Sequence, residues 1–347
     1  FLMADMDKAV ERVRTAVLSG EKILVYGDYD VDGTTAVSLV YSFLKRLTRD
    51  VDFYIPERYD EGYGVSYKGI DWASENGFGL IITLDCGIKA NEKVEYARER
   101  GIDVIICDHH LPENELPKAV AVLDPKREDC NYPFDDLSGC GVGFKLVQAY
   151  SQRYDIPFDT LIPLLDLLVV SIASDLVSVT GENRILAHYG LKQLNTLPRK
   201  GLLAMIQLSG LEPGHLTIDD IVFKIGPRIN AAGRMGHPEK AALLLLAEKE
   251  VTLKVYLLLR MVMLLTLKEL THMQMVLVLM PKEIFLVHLG IALTLRALGQ
   301  VREVLLLTLR ARVLSQVVMH LTLKVATHKH TVMILMLRAI LLMLDIL

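Results

Sequence analysis

The sequence predicts an α/β fold, a doubly wound parallel sheet joined through helices to a smaller second domain. Three observations carry this expectation. Over the first 125 residues, short β-rich runs alternate with helix-like segments, the pattern of a parallel sheet built from strand–helix–strand units. The β-rich runs are continuously apolar and do not alternate, as strands covered on both faces must be. Each run ends in polar residues, and parallel sheets bind ligands beyond the carboxyl ends of their strands.

The runs are "KILVYGDYD" (22–30), "VDFYIP" (51–56), "LIITLDCG" (80–87), "DVIICDHH" (103–110) and "AVAVLDP" (119–125). Between them "TTAVSLVYSFLKRL" (34–47), "GIDWASENG" (69–77) and "NEKVEYARERG" (91–101) read as helices. Gly33 is expected to ease the turn after the first run, with Thr34 and Thr35 starting the helix. Turn formers then dominate "DPKREDCNYPFDDLSGCGVG" (124–143), which reads as a loop. A helical region is expected from about Phe144 to Leu208, followed by the glycine-rich polar segment "FKIGPRINAAGRMGHPEK" (223–240).

From about Val251 the character changes. The last 97 residues hold 28 leucines, 9 methionines and no asparagine, with Pro281, Gly290 and Gly299 as their turn formers. A connecting helix accounts for 249–280, but a compact domain to Leu347 needs more turn chemistry than this. The tail reads either as a record whose residue types do not report the true sequence or as an unusual all-helical tail.

The bulk composition excludes several classes. The 347 residues are 52% apolar, enough for a sizeable core, and the formal net charge is -4. That average divides into -11 over residues 1–250 and +7 beyond. Cys86, Cys107, Cys130 and Cys140 form no C-x-x-C pair and read as small semi-buried residues; with no secretory signal at the start, a reducing cytoplasmic setting is expected. Arg260, Lys268, Glu269 and Lys282 interrupt the leucine-rich tail, so no apolar run reaches the roughly 18 residues of a membrane span. A dinucleotide-binding fold would need G-x-G-x-x-G after the first strand, where "GDYDVDG" stands instead.

The strand ends carry the chemistry. Asp28, Asp30 and Asp32 follow the first strand, Asp85 the third, Asp108, His109 and His110 the fourth, and Asp124 the fifth. Asp175, after the apolar "VVSIAS", is a further acid within reach of the same rim. Like charges gathered in this way raise each other's pKa or demand a cation. Oxygen ligands with imidazole suit Mn²⁺ or Mg²⁺. Asp30, Asp32, Asp85, His109 and Asp175 suffice for two ions, and two ions about 4 Å apart clamp a phosphoryl group and activate a water. A single Asp after a strand is ordinarily a cap or turn residue, and Asp124 before Pro125 reads as one. Turn-making does not require D-x-D-x-D-G, D-C-G and D-H-H all at strand ends of one sheet.

Two basic segments are less specific. "GPRINAAGR" sets Arg228 and Arg234 around Asn230 and small residues, either a phosphate grip or a helix cap with solvated arginines. "YIPERYDEGYG" sets Arg58, Tyr59 and Tyr63 past the second strand, either a phosphate contact with stacking rings or a packed loop.

"GDYDVDGTTA", "TLDCGI", "CDHH" and "SIASDLVSV" resemble the four phosphoesterase motifs of the DHH superfamily, in order and at suitable separations. "YIPERYDEGYG", "LDPKREDCNYPFDDLSGCGVGFKL" and "GPRINAAGRMGHP" resemble its RecJ-type branch, the single-strand-specific 5′→3′ DNA exonucleases of bacteria. The resemblance runs from about residue 8 to 248. It implies two Mn²⁺ or Mg²⁺ ions held by Asp28, Asp30, Asp32, Asp85, His109 and Asp175, with Asp28 preceding the matched pair Asp30 and Asp32, and Asp85 the bridging acid. It further implies that His110 faces the scissile phosphate, that Asp108 orients the histidine pair, and that Arg228, Asn230 and Arg234 line the substrate side. Arg228 would steady the scissile phosphate, and Arg58 would lie toward the 5′ end.

The implied organisation is a DHH phosphoesterase domain over 1–188, a helical region carrying "GPRINAAGR" over 189–248, a connecting helix over 249–280 and a partial DHHA1-like second domain over 281–347. In that last part "ATHKHTVM" keeps His328 where the family has a substrate-binding histidine, but lacks the family's glycines and alanine pair. The implied activity is hydrolysis of single-stranded DNA to mononucleotides in DNA repair and recombination. The implied setting is a cytoplasmic monomer, partnered by single-stranded DNA and by a helicase or single-strand-binding protein. The -11 of residues 1–250 is not an obstacle to DNA binding, because much of it is the acidic cluster itself and local basic positions matter more. The alternatives are another phosphoesterase of the superfamily, acting on nano-RNA, cyclic dinucleotides or pyrophosphate, and a catalytically inactive replication scaffold. The presence of every motif acid opposes the scaffold.

Overall fold

Helix α1 (Met6–Ser19) leads into β1 (Lys22–Gly27), and from there strands and helices alternate: α2 (Val31–Leu44), β2 (Val51–Tyr54), α3 (Tyr67–Glu75), β3 (Phe78–Leu84), α4 (Asn91–Glu99), β4 (Asp103–Cys107) and β5 (Ala121–Leu123). A helical part follows, with α5 (Gly139–Arg153), α6 (Leu165–Ser174), α7 (Gly181–Thr196), α8 (Lys200–Leu208), the short α9 (Ile218–Asp220), a π-helical turn at Ile221–Ile225, α10 (Gly226–Arg234) and α11 (Pro238–Leu246). This computed structural model describes residues 2–175, 177–234 and 238–248. The expected connecting helix, the expected second domain and His328 lie outside the described residues.

All five strands are parallel, in the order β2-β1-β3-β4-β5. The register sets Val25 beside Phe53 on one side and Ile82 on the other. Every strand expected from the sequence is present. Side chains alternate between two apolar layers: Ile23, Val25, Leu80, Ile82 and Ile105 face one core, while Leu24, Tyr26, Ile81, Val104 and Ile106 face the other. The first layer is closed by α1, α2, α5 and α6, and the second by α3 and α4. Each fully buried aliphatic side chain contributes roughly 1.5–3 kcal/mol, so both layers are needed to hold a sheet with no wet face.

This strand order has its topological switch point between β1 and β3, where the chain leaves β1 toward opposite edges of the sheet. Ligands bind in the crevice outside the strand ends at such a point. The first and second acidic stretches end these two strands.

Three expectations are corrected. Helix α1 is not among the expected elements, although Met6, Ala9, Val10, Val13 and Ala16 make a buried stripe at helical spacing. Helix α2 begins at Val31 with Asp30 as its N-cap, so Gly33 lies inside the first turn. Its requirement is close approach: a Cβ on Gly33 would stand 2.5 Å from the Asp28 carbonyl oxygen. Finally, "GCGVG" is the start of α5 and not loop. A Cβ on Gly139 would stand 2.6 Å from the Asp85 Cβ, and one on Gly143 would stand 2.9 Å from Leu84. These glycines let a helix lie directly on the end of β3. The four cysteines are free thiols, three of them buried. Among the described residues no helix is long and apolar enough to cross a membrane.

Candidate metal centre

Strand ends and one helix end deliver the polar residues. Asp28 leaves β1 fully buried, with Oδ1 accepting the Gly64 N–H at 3.2 Å and Oδ2 without a partner. Asp30 caps α2 by accepting the Gly33 N–H at 2.9 Å. Asp32, in the first turn of the helix, is gripped from α5 and α6. Its Oδ2 accepts the Gly139 N–H at 2.6 Å, and its Oδ1 accepts the Cys140 N–H at 2.9 Å and the Ser171 hydroxyl at 2.6 Å. Ser138, the α5 N-cap, shares a 2.6 Å hydrogen bond with Ser171. A helix N-terminus aimed at a carboxylate stabilises its charge.

Asp85 follows β3 in a left-handed conformation at φ 59°, uncommon for a non-glycine residue. Its N–H donates to the Cys107 carbonyl at 2.9 Å. The side chain is buried and its Oδ1 makes no hydrogen bond, although His109 Nε2 lies 3.1 Å away in an orientation that does not form one. The same His109 Nε2 lies 3.6 Å from Asp175 Oδ2 and 3.9 Å from Asp32 Oδ2, while His109 Nδ1 is buried without a partner. Among the described residues, two overlapping groups have ligand atoms within 4.8 Å of one another: Asp85, His109 and His110, and Asp32, His109 and Asp175.

Asp108 organises the histidine pair. Its Oδ1 accepts the His109 N–H at 2.8 Å, the His110 N–H at 3.2 Å and the His110 ring Nδ1 at 2.7 Å, and its Oδ2 accepts the Ile88 N–H at 2.9 Å. Burial opposes the Asp108 charge, but these bonds from His110 and Ile88 hold its pKa below the ordinary carboxylate value. The hydrogen bond to Asp108 raises the His110 pKa, whereas burial lowers that of His109.

The acids at the centre behave in the opposite way. Burial, then the neighbouring Asp30, pushes Asp28 up to about 7. Burial raises Asp30 and Asp32, and repulsion from Asp175 raises both further. Asp85 is driven well above the usual range by burial and then by Asp32 and Asp30. Buried carboxylates with unpartnered oxygens, a buried unpartnered imidazole nitrogen and an all-oxygen-and-nitrogen donor set fit a divalent cation of the Mn²⁺ or Mg²⁺ kind.

A family model described as the DHH family, N-terminal domain, matches residues 22–172. Residues 22–172 are a DHH-family domain. The single-stranded-DNA-specific exonuclease RecJ of Bacillus subtilis (strain 168) is 42% identical over 248 residues, covering 72% of this chain and 31% of the relative. RecJ of Escherichia coli (strain K12) is 35% identical over 257 residues, covering 71% of this chain and 44% of the relative. The chain therefore spans less than half the length of these relatives. A structure of exonuclease RecJ bound to manganese superposes with a TM-score of 0.67 at 31% identity, covering 73% of this chain and 64% of that one. RecJ from Thermus thermophilus in complex with Mn²⁺ gives 0.64 at 29%, covering 73% of this chain and 36% of that one.

The remaining sequence-derived residues fall into three places. Arg58 is exposed, with its guanidinium carbon 5.4 Å from the centroid of the Tyr29 ring, which meets Tyr63 edge-on at 6.3 Å. Arg228, Asn230 and Arg234 stand on α10. Arg228 is exposed and donates to the Lys224 carbonyl, and Asn230 is half-buried. The start of α10 abuts the end of α6 that carries Asp175, since a Cβ on Gly226 would stand 2.5 Å from Ser174 Oγ. Asp124 makes the expected turn, its Oδ1 accepting the Lys126 N–H at 2.7 Å, yet it is fully buried with an unpartnered Oδ2.

Sequence reasoning missed the supports of the cluster: Ser138, Ser171, the Gly139 and Cys140 amides, and the Tyr63 hydroxyl, which bonds the Asp85 carbonyl at 3.2 Å and meets His110 Nε2 at 3.3 Å. Ser171 had a signal, because it lies four residues before Asp175 at helical spacing.

Proposed function

We propose that the chain carries the nuclease core of a metal-dependent 5′→3′ exonuclease that hydrolyses single-stranded DNA to mononucleotides, as in DNA repair and recombination. The observation that supports this most is the meeting of four motif segments, far apart in sequence, as one buried acid–imidazole cluster at the switch point. The manganese-bound RecJ structure that this fold resembles supports the cation.

Asp30, Asp32, Asp85, His109 and Asp175 would hold two Mn²⁺ or Mg²⁺ ions, with Asp85 between them and Asp28 as an additional ligand. Bound there, the ions would neutralise phosphoryl oxygens and lower the pKa of water. The chain's own residues supply the rest. The Gly139 and Cys140 amides and the Ser171 hydroxyl fix the orientation of Asp32 and partly offset the rise that burial imposes on its pKa. Asp108 fixes the His110 ring through Nδ1, and that ring would stand beside a scissile phosphate held at the cations. Arg228, with Asn230 and Arg234, would steady that phosphate from α10, and Arg58 would take the 5′ end of the strand beside the Tyr29 and Tyr63 rings.

In organisation, residues 1–188 would form the phosphoesterase domain and 189–248 the helical region, with 249–280 linking to a second domain at 281–347 that includes His328. We place the protein in the cytoplasm as a monomer, working with a helicase or single-strand-binding protein. The test is incubation with 5′-labelled single-stranded DNA, a duplex, a dinucleotide and pyrophosphate, each with Mn²⁺ and with EDTA. Mn²⁺-dependent release of mononucleotides from the single strand alone is expected. Turnover of only the dinucleotide or pyrophosphate would refute the exonuclease reading.

A further inference from the structure

The loop after β2 is built to present one side chain. Glu61 rivets it, accepting from the Tyr54 hydroxyl at 2.9 Å, the Glu57 N–H at 3.0 Å and the Ser66 hydroxyl. Gly62 at φ 82° and Gly64 at φ 77° flank Tyr63, and both conformations favour glycine. The Gly64 N–H is spent on Asp28, which ties the loop to the end of β1. Tyr63 is held between two rings, edge-on to Tyr29 and edge-on to His110 at 6.0 Å.

Half of the Tyr63 surface is open, but its hydroxyl is turned inward onto Asp85 and His110. A carbonyl only accepts, so the single hydroxyl hydrogen is committed to the Asp85 carbonyl at 3.2 Å. The phenol oxygen also stands 3.3 Å from His110 Nε2, within hydrogen-bond distance. The other ring nitrogen is fixed by Asp108 at 2.7 Å.

We propose that Tyr63 is a positioning residue for His110, its hydroxyl anchored on the carbonyl of the left-handed Asp85 so that the His110 ring is held at both nitrogens. Tyr63 thereby couples the ends of β3 and β4, the two strands that supply Asp85 and the histidine pair. A surface used only for stacking would need the ring and not the hydroxyl.

The inference rests on the proposed nuclease function, and the test separates the two. Tyr63→Phe keeps the ring and removes the hydroxyl, while Tyr63→Leu removes both. With the full chain, Mn²⁺ and a 5′-phosphorylated single strand, Tyr63→Phe is expected to lower kcat about tenfold, the low end of what losing an outer hydrogen-bond partner of an active-site histidine does. KM should stay within about twofold and Mn²⁺ affinity unchanged, because every proposed ligand remains. Tyr63→Leu should lower kcat equally and raise KM as well. Wild-type kcat in Tyr63→Phe would overturn the proposal, and so would a loss of Mn²⁺ affinity that matches the loss of rate. Histidine-selective ¹⁵N NMR reads the hydrogen bond without turnover. The His110 Nε2 resonance should show a hydrogen-bonded nitrogen in the wild type and lose that signature in Tyr63→Phe; the same resonance in both would overturn the proposal even if the wild type degraded no DNA.

Discussion

Replacing Asp28 by Asn isolates the energetic burden of the cluster. Asp28 is fully buried, has one oxygen without a partner and titrates near 7 in the folded protein. An aspartate in an unfolded chain titrates near 3.9. Between those values the folded state binds a proton that the unfolded state does not, so metal-free stability falls as pH rises through about 4 to about 7. At about 1.36 kcal/mol per pH unit, the difference between 3.9 and about 7 removes roughly 4 kcal/mol from Asp28 alone, of which nearly 3 is lost above pH 5. Asn retains the acceptor for Gly64 and carries no charge, but leaves a buried NH₂ unpartnered at roughly 1–3 kcal/mol. Denaturation in EDTA should therefore show Asp28→Asn about 1–3 kcal/mol more stable than wild type at pH 8 and no more stable at pH 5. Saturating Mn²⁺ should reverse the order at pH 8 if Asp28 is a ligand, because only the wild type then gains the full binding stabilisation. A wild-type stability in EDTA that is flat from pH 5 to 8, with Asp28→Asn unchanged relative to it, would refute the reasoning.

Two further substitutions probe the supports. Gly139→Ala would drive a Cβ to 2.6 Å from the Asp85 Cβ in a helix that cannot retreat from β3, and should lose about 1–3 kcal/mol of stability together with Mn²⁺ binding, read by thermal melts and calorimetry. Ser171→Ala removes one of the donors on Asp32 and should weaken Mn²⁺ binding about tenfold while leaving the melting temperature of the EDTA-treated protein nearly unchanged; an unaltered affinity would show that Asp32 needs no support from α6.

The strands and the rim were legible because their causes are local. Strands buried on both faces are continuously apolar, so Leu80–Leu84 and Val104–Cys107 announced themselves, and the acids at their ends are then fixed by the direction of a parallel strand. Helix capping was less so: Asp30 reads as a ligand, and in the structure it also caps α2. What failed to show depends on contacts across the chain. The glycines at 139 and 143 look like loop residues, and only the end of β3 lying beneath them explains their place in a helix. Asp32 meets Gly139 and Ser171 across 107 and 139 residues, separations at which no periodicity speaks. Tyr63 was visible as a ring near the site, but the partner of its hydroxyl is set by the left-handed turn at Asp85, which the sequence does not reveal. Asp124 reads as a turn residue and makes that turn; its complete burial is a tertiary feature that a turn motif does not announce.

The most direct test of the central claim, that the strand-end acids form a centre for two divalent ions, is an equilibrium Mn²⁺ titration of the metal-free protein followed by the electron paramagnetic resonance of free Mn²⁺, with Asp85→Asn alongside. Asn tolerates the left-handed conformation at this position, so the fold is retained. The wild type should take up two ions, and Asp85→Asn should lose tight binding of at least one. A wild type that binds no Mn²⁺, or an Asp85→Asn protein that binds the same number with the same affinity, would contradict it.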